Sequence, residues 1–95
     1  MRVVWDERKR LANIDKHGLD FAEFETGFDG ETAMQLPTTP SSTGRSRFKL
    51  IGQWQSERVV VVITSPLGSE ALSIVSLRHA SPKESEAYER SQAGS

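Results

Sequence analysis

The apolar run Val59-Val60-Val61-Val62-Ile63, framed by Arg58 and Thr64, has no polar alternation. A strand of that pattern is buried on both faces, so it predicts the centre of a sheet. Arg47 to Trp54 reads as the strand before it, joined through Gln55-Ser56-Glu57, and Ala71 to Arg78 as the strand after it, joined through the turn Pro66-Leu67-Gly68-Ser69. Together they form an antiparallel meander. Val3-Val4-Trp5 suits an opening or edge strand, and Thr32 to Leu36 is a further short candidate.

Helices bracket this sheet. Asp6 is placed to cap a helix of about three turns in which Leu11 and Ile14 share a face, and Gly18 after Lys16 and His17 supplies its stop. A second helix is expected from the capping box Asp20/Glu23 and the staple Leu19/Phe24. Phe21, Phe24 and Phe28 would repeat on its buried side, with Asp29-Gly30 as the exit. Residues Pro37 to Gly44 carry breakers and small polar side chains, which predicts a surface loop. Ser81 and Glu84 form a further capping box with Pro82 at the first helical position, opening a final helix of two or three turns that holds Ala87 and Tyr88. The expectation is an α+β fold: a small antiparallel sheet, two N-terminal helices and one C-terminal helix.

The chain of 95 residues has room for one domain, with residues 1–90 as its core and the polar stretch 91–95 as a frayed end. It has no cysteine, which removes disulfides and thiolate metal sites. The charged start Met1-Arg2 does not suit a signal segment, and no stretch is long and apolar enough to span a bilayer, so a cytoplasmic location is expected. The formal net charge of -1 hides an asymmetry. Asp20, Glu23, Glu25, Asp29 and Glu31 fall together without a Lys or Arg among them, as a solvated helix face or a docking surface for a basic partner. The remainder is net basic.

Phosphate-loop, dinucleotide, zinc-protease and nucleophile-elbow motifs are all missing from the sequence. What remains is cationic. Arg78 and His79 close the last strand at a capped helix, where they read either as a phosphate clamp with a proton carrier or as a rim Arg paired to a carboxylate beside a surface His. Strict alternation would put Leu72, Ile74, Ser76 and Arg78 on one face and Ser73, Val75, Leu77 and His79 on the other. Arg78 and His79 then converge only if the strand ends or bulges. On the first helix, Lys9, Asn13, Lys16 and His17 form a polar side that lines an RNA backbone groove or faces solvent. Arg45, Arg47 and Lys49 alternate into a second basic stripe, able to position phosphates. Phe48 and Trp54 partition as core residues, and Tyr88 either reaches a phosphate or packs by its ring.

Taken in order, Trp5-Asp6, Lys9, Asn13, Lys16-His17-Gly18, Phe21, Glu23, Phe28-Asp29, Arg47-Phe48, Ile51-Gly52, Ile74, Ser76, Arg78, Ala80-Ser81, Glu84 and Tyr88 resemble the BrnT toxins of bacterial type II toxin-antitoxin systems. The resemblance covers nearly the whole chain. It implies a RelE-like fold and a metal-independent endoribonuclease without cofactor. The implied partners are RNA, a BrnA-like ribbon-helix-helix antitoxin, and operator DNA reached only through that antitoxin. Lys9, His17, Arg78 and Tyr88 would lie in the cleft with Arg47 nearby. The expected catalytic set is thus Lys9, His17, Arg78, His79 and Tyr88, and the expected RNA-binding set is Asn13, Lys16, Arg45, Arg47 and Lys49. His79 departs from the pattern, since many relatives carry Arg or Lys there; imidazole gives up permanent charge and gains a titratable proton. A non-catalytic module acting within a repressor complex is the alternative.

Overall fold

In the computed structural model the described residues are 2–40 and 42–94. Met1, Ser41 of the expected loop and Ser95 of the expected frayed end lie outside them. Among the described residues five strands form one sheet: β1 (Arg2–Trp5), β2 (Met34–Pro37), β3 (Phe48–Trp54), β4 (Arg58–Leu67) and β5 (Ala71–His79), in the order β1-β5-β4-β3-β2. The fold is α+β, as expected. The meander β3-β4-β5 is antiparallel, and β4 is central. β1 joins its far side in parallel, with Arg2 opposite Ala71 and Trp5 opposite Ile74.

Among the described residues, helices α1 (Glu7–His17), α2 (Phe24–Gly27) and α3 (Pro82–Ala93) complete the architecture, with a 3₁₀ turn at Phe21–Glu23 before α2. Asp6 caps α1 by accepting from the Arg8 amide, and Gly18 closes it in left-handed backbone with φ of 70°. Leu11 does not join the core and is exposed. The inward position is taken by Asn13 instead.

The second helix is shorter than the capping box predicts. Asp20 accepts from the Ala22 amide, but the Glu23 side chain accepts from Gln55 Nε2 instead of closing a capping box, and helical turns end at Gly27. The cause is competition from β3. The Asp29 amide donates to the Gln53 carbonyl and the Gln55 amide to the Gly27 carbonyl, so Phe28 is drawn into extended backbone bridging Trp54. Its ring still stacks on Phe24, with centroids 5.1 Å apart.

β4 runs through the expected turn to Leu67, so Pro66 lies within a strand. Pairing with β3 stops at Thr64, which leaves the β3 side of Pro66 without a partner strand. A residue with no N–H is tolerated there.

Both faces of the sheet are covered. Leu19, Phe21, Trp54, Val60, Val62, Ile74 and Leu77 form the larger core, while Ile51, Val61 and Tyr88 form a smaller one under α3. A bulge sets the side-chain phase of β5. Its register shifts so that Ile63 faces Ser76 and Thr64 faces Ile74, with Val75 left over. The alternation expected from sequence is therefore broken: Ile74 and Leu77 lie in the same core. The final helix keeps its predicted capping box. It extends to Ala93, so residues 91–93 are helical rather than frayed, and Gln92 Nε2 donates to the Thr32 carbonyl at 2.8 Å.

Candidate nucleic-acid cleft

Where β1 ends at Trp5, the edge of β5 is left to α1. Asn13 makes the junction: its Nδ2 donates to the carbonyls of Leu77 at 2.8 Å and Leu19 at 2.9 Å, and its Oδ1 accepts from the Leu77 amide at 3.1 Å. Asn13 was expected to face phosphate with Lys9 and Lys16. It is buried and both of its N–H groups are used within the fold, so its role is to seat α1.

Beside this junction lies a hollow of about 410 Å³, lined by Lys9, Ala12, Asn13, Lys16 and His17 of α1, by Arg47 ahead of β3, and by Val75 and Ser76 of β5. Lys9, Lys16, His17 and Arg47, four residues from both basic stripes, meet here. No carboxylate lines this hollow among the described residues. Sequence reading overlooked Ser76 as a wall residue. The register of β5 shifts in this stretch, a feature without a local sequence signature.

His17 sits at the C-terminus of α1. Its pKa is lowered, first by burial and then by the charges of Lys16, His79 and Arg78. The imidazole therefore stays neutral to lower pH than a free histidine. His79 is exposed, and its Nε2 lies 3.3 Å from the His17 carbonyl oxygen. Arg78 acts electrostatically on the same corner. Histidine and arginine thus occupy one end of the sheet, as the sequence reading requires.

Arg78 does not open freely into the hollow. Its guanidinium engages both oxygens of Glu84, at 2.7 and 2.9 Å, and Lys49 Nζ lies 2.6 Å from Glu84 Oε2. Of the two readings of Arg78, the ion-paired one describes this geometry. The stripe of Arg45, Arg47 and Lys49 is divided accordingly: Arg47 lines the hollow, Lys49 pairs with α3, and Arg45 lies in the exposed loop before β3, where strand alternation does not apply. Tyr88 is buried against Ile51 and Val61, with its hydroxyl 3.0 Å from Thr32 Oγ1. It lines a different hollow, together with Asp29 and Glu89, so it is not brought together with Lys9 and His17.

A family model described as "Ribonuclease toxin, BrnT, of type II toxin-antitoxin system" matches residues 5–84. The chain belongs to the BrnT toxin family. Among solved structures, the ribonuclease toxin BrnT of Brucella abortus is 43% identical, with a TM-score of 0.70, over 85% of this chain and 97% of that one. A comparison with curated proteins finds no match. BrnT toxins generally pair with BrnA-like antitoxins. The matched span of this BrnT chain includes every element of the hollow and the Arg78, Lys49 and Glu84 cluster. No helix among the described residues is long and apolar enough to cross a membrane.

Proposed function

We propose that the chain is the toxin of a type II toxin-antitoxin pair and cleaves RNA at the hollow between α1 and the bulged edge of β5. The observation that carries this reading is the convergence of Lys9, Lys16, His17 and Arg47 around one space without a carboxylate among the lining residues. Such a site attracts a phosphodiester, and the three cations stabilise the charge that builds on its oxygens during attack.

The neutral imidazole of His17 accepts the proton of the ribose 2'-hydroxyl as that oxygen bonds to phosphorus. The bond from phosphorus to the 5'-oxygen breaks, and the leaving oxygen takes up a proton, for which His79 is the candidate donor. The products are a 2',3'-cyclic phosphate and a free 5'-hydroxyl. DNA, which lacks the 2'-hydroxyl, is not cut. The family resemblance supports metal-independent chemistry and neutralisation by a BrnA-like ribbon-helix-helix antitoxin, which also carries the complex to operator DNA.

The test is incubation of purified protein with single-stranded and structured RNA in chelator. Cleavage with cyclic-phosphate ends is expected, reduced by about 10²-fold or more in His17→Ala. RNA left intact by folded protein at high concentration would refute the nuclease and favour a binding module.

A further inference from the structure

Glu84 stands in the first turn of α3 with both oxygens occupied. Oε1 accepts from Arg78 Nη1 at 2.7 Å and from the Ser81 amide at 2.8 Å. Oε2 accepts from Arg78 Nη2 at 2.9 Å and lies 2.6 Å from Lys49 Nζ. The carboxylate is the most covered member of the group, with its side chain 14% exposed against 26% for Lys49 and 36% for Arg78. One anion is therefore clasped between two cations that each keep an open side.

A guanidinium fork recognises the two oxygens of a phosphodiester by the same paired geometry it uses here for a carboxylate. We propose that Glu84 is an internal substitute for an RNA phosphate: the first turn of α3 closes an anion seat built by Arg78 and Lys49, and bound RNA displaces it. This rests on the nucleic-acid reading of the neighbouring hollow and adds a regulated second phosphate position to it.

The two ends of α3 are held differently. Farther along, Tyr88 is buried in the smaller core and Gln92 donates to the Thr32 carbonyl. At the start, the polar contacts centre on Glu84: it bonds Arg78 and Lys49 and closes the capping box by accepting from Ser81. Displacing one carboxylate thus frees the seat and loosens the first turn together, while the Tyr88 anchor persists. Entry of the RNA backbone and fraying of this turn are coupled in both directions.

The probe is a single-stranded 2'-O-methyl oligoribonucleotide, which binds without being cut. Glu84→Gln should bind it several-fold more tightly than the parent protein, because no carboxylate then competes for the seat, while the dependence of log affinity on log salt stays the same, since Arg78 and Lys49 sit on phosphate in both complexes. In the parent protein, saturating oligonucleotide should accelerate hydrogen exchange at amides 84–88 but not at 89–92. Equal or weaker binding by folded Glu84→Gln would overturn the proposal. So would unchanged exchange at 84–88 in the parent complex, a measurement that does not depend on the variant's folding. RNA cleavage by the parent protein separates the two readings. If the substitution mechanism fails, cleavage persists; if the nuclease fails, the gain in binding by Glu84→Gln persists.

Discussion

Asn13 pairs with Leu77 as a neighbouring strand would, accepting from its amide at 3.1 Å and donating to its carbonyl at 2.8 Å. A side chain from α1 thus continues the edge pairing that β1 abandons after Ile74. The bonds are buried, so truncation strands backbone groups away from water. Asn13→Ala should cost about 3 kcal/mol, read as a lower urea midpoint at unchanged m-value. Because the same contact sets the wall of the hollow, RNA affinity should fall with it.

Gly52 is where the ring of Phe28 crosses the sheet. A Cβ there would lie 2.9 Å from Phe28 Cζ and 3.1 Å from Ala33 Cβ. Gly52→Ala should destabilise by about 1–3 kcal/mol through overpacking, measured as a drop in Tm. Shortening the ring by Phe28→Leu in the same chain should recover part of that loss.

Arg47 and Lys16 both line the hollow, one ahead of β3 and the other on α1. Each Ala substitution should weaken RNA binding across sequences alike and reduce the salt slope by about 0.7, with stability changed by less than about 0.5 kcal/mol. Titration of binding against salt checks this.

His17 has a lowered pKa, caused by burial and then by Lys16, His79 and Arg78. Its charged form is disfavoured in the folded state, so its contribution to stability is present above the ordinary histidine value of about 6.5 and is lost as pH falls through it. NMR titration should place His17 below that value, and Lys16→Ala should shift it upward. The acid limb of the cleavage profile should follow the same residue.

Glu84 is held well below the usual carboxylate range, first by the Arg78 hydrogen bonds and further by Lys49 and the Ser81 amide. A depressed carboxylate pKa stabilises the fold above the unfolded value of about 4.3 and loses that contribution as pH falls below it. Glu84→Gln should therefore be less stable than the parent by about 1–2 kcal/mol at pH 7, with the gap shrinking at pH 3. Urea unfolding at the two pH values decides it.

Local chemistry made much of this fold legible. Asp6 with Gly18, and Ser81 with Pro82 and Glu84, bound their helices because caps are satisfied within a few residues. The run Val59 to Ile63 announced the central strand by hydrophobicity alone. What sequence reading missed was decided by distant partners. Phe28 carries helical spacing but surrenders it to pairing with Trp54, and Pro66 looks like a turn until the end of β3 is known. The bulge at Val75 has no local signature, yet it fixes which side chains of β5 share a face. For the site, the resemblance grouped Lys9 and His17 with Arg47, which share one hollow, but did not reveal the pairing of Arg78 with Glu84 or the placement of Tyr88 at another hollow. Glu84 was read only as a cap, although it binds Arg78 and Lys49 as well.

The parallel pairing of Arg2–Trp5 with Ala71–Ile74 joins β1 to β5, strands some seventy residues apart along the chain. α1 can coil early, but the edge that receives it does not exist until β5 has been synthesised and has left the exit tunnel. The α1 side of the hollow is therefore completed only by a long-range closure, when β5 takes up β1 and seats the helix that follows it.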